Sequence, residues 1–222
     1  MGNRLRTDIL AVTWPAGAKL SVRPLSERYN TSTTVAREAL SHLAGDWLVQ
    51  LKPNRGFFVT DLGATELTDL TELRCRVEEF GIALAIERGD LAWESQLIAA
   101  HHMMEGTPRR NLSPDRIATT WSDAHSLFHA MLLEPCGLDH LKSLAKTLAD
   151  ITLFYRQLAA STHEAVMRNV ASEHTGILNA TLARDTVKAG QLLREHYSKS
   201  LKVIIASGVL HAGDHQGDDN DD

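Results

Sequence analysis

From Ala64 to about residue 206 the chain shows helical periodicity with almost no strand signal, and this constrains the fold more than any other feature. Predicted helices fall near 64–88, 91–105, 114–134, 138–161, 164–183 and 185–206. The breaks are Gly89-Asp90, the run from Gly106 to Pro114, Pro135-Cys136-Gly137, Ser161-Thr162 and Arg184-Asp185. Ser113 and Asp185 are expected caps. Six helices sharing one core make an all-α bundle, so the chain is expected to be mainly α. No run of 18 apolar residues occurs, so no membrane span is expected. The opening Met1 to Leu10 lacks an apolar leader core, so a cytoplasmic location is expected. Cys75 and Cys136 are the only cysteines, too few for a disulfide framework.

The first sixty residues follow another pattern. Arg4 to Val12 reads as a short helix, ended by Trp14-Pro15-Ala16-Gly17. Ser21 is placed to cap a second helix with Pro24 in its first turn. Asn30-Thr31 is a tight turn, and Ser32 caps a third helix running Thr33 to Ala44 and stopping at Gly45. Leu48 to Leu51 and Gly56 to Thr60 are strand-like, with Lys52 to Arg55 turning between them. Two short helices followed by a hairpin make a winged helix-turn-helix, a DNA-binding unit.

Net charge supports that division. The whole chain carries −5, which speaks against a uniformly basic nucleic-acid binder. Residues 1–61 hold eight Lys/Arg against five Asp/Glu, a balance of +3, so the remainder carries −8. Expected modules are the winged head at 1–62, an effector- and metal-binding helical body at 63–209 and an acidic, disordered tail at 210–222. In the head, Ser32, Thr33 and Thr34 lie at a helix N-terminus, where hydroxyls and backbone N–H groups bind phosphate. Arg37 follows one turn on, placed for a guanine edge or a phosphate. Arg23, Arg28, Lys52 and Arg55 add positive charge. Any one of these arginines alone reads equally well as a solvated surface residue.

Pro15 to Leu20, Leu25 to Tyr29, Ser32 to Leu40 and Arg55 to Val59 together resemble the GntR family of bacterial transcription regulators. The resemblance implies operator contacts at Arg23, Ser32, Thr33, Thr34, Arg37 and Gly56, with a short palindrome as the DNA partner and a homodimer reading it. Thr33 departs from the family pattern, where many members have Arg, which removes one possible base contact.

Eleven histidines are present, and four are arranged. His125 and His129 stand at i,i+4, on one face of a helix. His174 shares a face with Ile177, Leu178 and Thr181, and His196 with Leu192, Leu193 and Ser200. Four imidazoles converging inside a bundle suit zinc, nickel, copper or iron. For any one of them a hydrogen-bonded core histidine is the plainer account. His42, His101, His102, His140, His163, His211 and His215 show no ligand-like pattern.

Trp121 to His129, Glu173 to Ala180 and Arg194 to His196 resemble the FCD ligand-binding domain of the FadR subfamily, and Trp121 to His129, Pro135 to Gly137 and Leu182 to Gly190 together look most like its CsiR branch. In its metal-binding form, that resemblance implies one Asp and three His holding a divalent ion beside the effector. His129, His174 and His196 match. His125 stands where the Asp is expected, and Asp123 is off register, so the site is either four-His or a weakened three-His. Four-His is the expectation, with zinc as the ion and nickel or manganese compatible. The implied effector is a small carboxylic or sugar acid. Arg74 matches an inward-facing arginine of the subfamily, and Arg156, with Tyr155, lies mid-helix in an apolar stretch as a candidate clamp. The alternative for Arg156 is a salt bridge to Glu78 or Glu79.

The expected function is a transcriptional regulator, a repressor by resemblance, rather than an enzyme. A metalloenzyme is disfavoured because no GxSxG nucleophile occurs and Glu173 is expected to face away from the cluster. A DNA-binding protein with a metal-cemented, purely structural body is the closer alternative. It would lack a cavity beside His125 and His174.

Overall fold

The computed structural model describes residues 1–110 and 116–210. In the head, α1 (Gly2–Leu10) buries Leu5 and Ile9. It starts and stops two residues earlier than expected, and Val12 closes it at φ +57. A two-residue strand, β1 (Lys19–Leu20), precedes α2 (Val22–Arg28). Ser21 occupies the N-cap of α2 but its side chain makes no capping hydrogen bond. Ser32 does cap α3 (Thr33–Gly45), accepting from Val35 N at 3.2 Å. Ala36, Ala39, Leu40 and Leu43 form the buried face of α3. Strands β2 (Val49–Lys52) and β3 (Gly56–Val59) form the wing hairpin, with β1 added in the order β1-β3-β2, all antiparallel. Gly56 sits at φ +95, a conformation that strains any residue with a Cβ, so the hairpin depends on a glycine there.

The body comprises α4 (Ala64–Arg88), α5 (Leu91–Gly106), α6 (Thr119–Leu133), a 3₁₀ turn at Glu134–Cys136, α7 (Asp139–Leu158), α8 (His163–Met167), α9 (Val170–Leu182) and α10 (Thr186–Ala206). Asp185 caps α10 as expected, accepting from Lys188 N at 2.9 Å. The predicted helix over 164–183 is in fact two. The chain is extended at Arg168, and Asn169 caps α9 by accepting from Ser172 N at 3.1 Å. Among the described residues the body therefore has seven α-helices where six were expected. The predicted cap Ser113 lies outside the described residues, as does the acidic tail except for its first residue, Leu210, which packs against the head core.

Two apolar cores form. One lies within the bundle, around Ile82, Leu97, Phe128, Leu132, Ile177 and Leu193. The other fills the head with Leu5, Ile9, Leu40, Phe57 and Val59, and continues into the body through Leu67, Ile151, Phe154, Tyr155 and Ile204. Helix α7 thus stands between head and bundle. Tyr155 Oη accepts from Leu62 N at 2.5 Å, and Arg6 of α1 pairs with Asp150 of α7.

Candidate metal centre and DNA interface

The four histidines meet. His125 and His129 on α6, His174 on α9 and His196 on α10 are all at most 5% exposed. One ligand nitrogen from each lies within 4.8 Å of the others. The helical stripes explain this: each histidine lies on the core-facing side of its helix, α9 packs on α10, and α6 is held opposite them by α4 and α5, against which all three helices are packed.

The hydrogen bonds around the cluster set which nitrogen is free. Tyr197 Oη donates to Glu78, a carboxylate that can only accept, so its oxygen must accept from His129 Nδ1 at 3.0 Å. His129 then carries its proton on Nδ1 and turns an Nε2 lone pair inward, 3.3 Å from His174 Nε2. His196 Nδ1 donates to Glu173 Oε2 at 2.8 Å, and its Nε2 is buried with no partner. Glu173 is held in turn by Arg168, at 3.0 Å through Nε. A carboxylate behind an imidazole is the arrangement that orients a metal-ligating histidine. Burial is the largest cause holding all four imidazoles neutral. It lowers His174 to about 3 and the other three well below the ordinary histidine value. For His125 the Arg156 guanidinium is the next cause. Four neutral imidazoles, two with their tautomer fixed and one with an orphaned buried nitrogen, fit a divalent metal.

Glu173 therefore corrects the sequence reading, which placed it on another face. It sits in the first turn of α9, where its side chain crosses to α10. It touches the far side of His196, so it orients that ring rather than facing the inward nitrogens. Arg168 and Tyr197 were also missed, since neither had a motif to announce it, and Glu78, expected as a partner of Arg156, instead takes Arg74 and Tyr197.

Beside the cluster lies a cavity of about 560 Å³, lined by His125, His129, Arg74, Arg156 and, from the head, Arg6. Arg156 is half-buried on the cavity wall, with its Nε fully covered. Its Nη1 lies 3.1 Å from His125 Nε2, its Nε has no partner, and among the described residues no carboxylate pairs with it. The expected alternative, a bridge to Glu78 or Glu79, does not form, because Arg74 holds Glu78 at 2.6 Å and Arg194 holds Glu79. Burial, then the charges of Arg74, Arg109 and Arg168, lower Arg156 to about 9. Arg74 lines the cavity too, but it is committed to Glu78 and stacks 3.9 Å over the Tyr197 ring. Tyr155 is a correction: it does not line the cavity. Adjacent positions on a helix point about 100° apart, so Tyr155 turns into the head core while Arg156 turns to the cavity. A second cavity of about 440 Å³ reaches His174 from the side of Trp121 and Arg109.

In the head, Ser32, Thr33, Thr34 and Arg37 are exposed together on the outer face of α3. Ser32 Oγ accepts the capping bond and keeps its proton for a phosphate. Arg23 is exposed, paired with Glu27 only across a solvated 3.2 Å contact, which holds it weakly. Arg55 is exposed beside Gly56 in the wing, near the Phe58 ring. Arg28 belongs to the scaffold instead: it stacks on Trp14 and reaches Asp8 at 3.5 Å.

A recognition helix exposing Ser32, Thr33, Thr34 and Arg37, joined through α7 to a cavity inside a helical body, defines a DNA-binding regulator with a built-in ligand domain. Residues 2–59 match the gntR family of bacterial regulatory proteins and residues 69–199 match the FCD domain, so the chain belongs to the GntR family and carries an FCD effector-binding domain. An uncharacterised HTH-type transcriptional regulator, BphR of Paraburkholderia xenovorans strain LB400, is 32% identical over 93% of this chain and 84% of its own length. The HTH-type transcriptional repressor GlaR of Escherichia coli K12 is 28% identical over 90% of this chain and 92% of its own. A crystal structure of a GntR regulator from Rhodococcus sp. RHA1 superposes with a TM-score of 0.73 at 25% identity, covering 92% of this chain and 95% of that one. The fold also matches E. coli McbR/YncC, with a TM-score of 0.74 at 19% identity over 92% of this chain and 95% of that one. These relatives are regulators rather than enzymes, and no described helix is long and apolar enough to cross a membrane.

Proposed function

We propose that this regulator is a homodimeric repressor whose body holds one divalent ion, zinc by the donor set, on His125, His129, His174 and His196. A small carboxylic or sugar acid then binds in the adjoining cavity and lowers affinity for a short palindromic operator. The observation that carries this reading is the pairing of two unmet needs: the orphaned Nε2 of His196 inside the cluster, and the half-buried Arg156 guanidinium, set against His125 with its covered Nε unpartnered and no carboxylate beside it. A partly desolvated charge with no counter-ion is costly, and an anion in the cavity would offset that cost. Bound there, the ion would supply a Lewis-acid partner for one oxygen of the acid, while Arg156 offers its own donors. The cavity beside His125 supports the sensor over a metal-cemented, purely structural body. Ser32, Thr33, Thr34, Arg37, Arg23, Arg55 and Gly56 form the DNA-facing set.

The test has two parts. Elemental analysis of the purified chain should give about one zinc per protomer. A gel-shift titration with acetate, lactate, malate and succinate on the zinc-loaded protein should show weakened operator binding with at least one acid. Metal-free protein from zinc-supplemented cells, or indifference to all four acids, would sink the respective half of the reading.

A further inference from the structure

The cations around the 560 Å³ cavity are not evenly supplied with carboxylates. Among the described residues Arg74 is the one cation on Glu78, at 2.6 Å, a carboxylate that also accepts from Tyr197, and Lys142 has both Glu134 and Asp139 at 3.3 Å. At the edge nearest the head the balance changes. Arg6 Nη2 and Lys146 Nζ both bond the same oxygen, Oδ2 of Asp150, and that carboxylate is 12% exposed. Two cations on one oxygen leave an excess positive charge there. Arg6 Nε is buried and has no partner at all. Arg6 has further donors than Asp150 can take, because a guanidinium carries five N–H groups.

Arg6 also belongs to a different part of the molecule from the rest of the cavity wall. It lies on α1, whose Leu5 and Ile9 are in the head core. Its partner Asp150 lies on α7, which lines the cavity with Ala149, Leu153 and Arg156 on one side. On the other side the same helix puts Ile151, Phe154 and Tyr155 into the head core. The Arg6–Asp150 pair is therefore a polar clasp between α1 and α7, and it is made inside the ligand cavity.

We propose that Arg6 is an effector-reading residue supplied by the DNA-binding head: a carboxylate in the cavity draws it away from Asp150 and thereby alters how α1 is held on α7. This rests on the reading of the cavity as a carboxylate site. The ligand and Asp150 compete for one guanidinium, so the ligand has a differential contact between clasped and unclasped states, which is the requirement for coupling two sites. No long relay through the bundle is needed, because the first residue contacted is already part of the head.

The experiment uses full-length, zinc-loaded protein and a DNA duplex selected by the wild type from a random-sequence pool. Operator affinity is measured for wild type, Arg6→Gln, Asp150→Asn and Arg6→Lys, without acid and with acetate, lactate, malate or succinate. Circular dichroism and zinc content confirm that each variant is folded and loaded. Asp150→Asn and Arg6→Gln should bind the duplex, without acid, at the affinity the wild type shows when saturated with acid. Their further response should fall below about twofold, against a coupling of roughly five- to hundredfold in the wild type. Arg6→Lys, which keeps the charge on Asp150, should recover part of the response. Folded, zinc-loaded Arg6→Gln and Asp150→Asn proteins that keep both the wild-type acid-free affinity and the wild-type response would overturn this inference alone. A wild type indifferent to all four acids would instead overturn the carboxylate reading, and this inference with it.

Discussion

His129 and His196 turn bare Nε2 atoms inward because Tyr197 and Glu173 occupy their Nδ1 protons. The orientation of these lone pairs is thus a property of the neighbours as much as of the rings. Replacing Glu173 with Gln should weaken zinc binding about 10- to 100-fold, read by competition with a chelating dye, while His174→Ala should lower bound zinc well below one per protomer. Zinc content unchanged in His174→Ala would remove the site assignment. The imidazoles also predict a pH dependence. Their folded-state pKa values are depressed, His174 to about 3, so below the unfolded value of about 6.5 the unfolded chain takes up protons that the fold excludes. Metal-free protein should therefore hold its full stability above about pH 6.5 and lose it as pH falls below that, with the His174 contribution lost progressively toward about pH 3. Urea melts across that range would check the sign, and a stability that rose on acidification would refute it. Spacing put the four histidines on core-facing helix sides, and the resemblance to the FCD domain singled them out as one cluster, because a core-facing imidazole alone reads as well as a hydrogen-bonded core residue. Glu173 was not, because its partner lies on α10, 23 positions away, and reach across a helix gap leaves no periodic trace.

Helix α7 shows what an element can carry that single positions cannot. Ala145 belongs to the bundle core, Leu153 and Arg156 to the cavity wall, and Phe154 and Tyr155 to the head core. In sequence this is a stretch apolar almost all round, which is why Tyr155 and Arg156 read as a pair with one purpose. Tyr155→Phe should cost about 1–3 kcal/mol, since it leaves the buried Leu62 N–H without its acceptor. Chemical denaturation would show this as a lower midpoint at unchanged slope. The turn into α7 is equally specific. Gly137 sits at φ +73, and a Cβ there would meet an Arg88 nitrogen at 2.9 Å, so Gly137→Ala should destabilise by about 1 kcal/mol or more. Other elements were harder to read. The break at Arg168 joins two helices with no proline or glycine, only the Asn169 cap, and β1 is too short for alternation to register.

At the scale of the molecule, the winged head and helical body were legible from patterning and charge, because +3 and −8 fall on different stretches of chain. The exposed arginines of α3 and the wing predict salt-sensitive DNA binding. Arg55→Ala should flatten the plot of log affinity against log salt by about 0.9 for each arginine lost, and about twice that for a dimer. An unchanged slope would place the wing off the phosphates. What the pattern did not show is that head and body share a core. Leu67, Ile151, Phe154 and Ile204 pack with head residues, and Tyr155 bonds the backbone at Leu62. That shared core bears on protein engineering. Biosensors are often assembled by splicing the reading head of one regulator onto the sensing body of another, cutting at the junction between them. Here a splice at residue 62 would leave half of a fitted joint on each parent. A working hybrid of this chain would have to carry the head-facing side of α7, with Asp150, Ile151, Phe154 and Tyr155, as part of the head it is meant to serve.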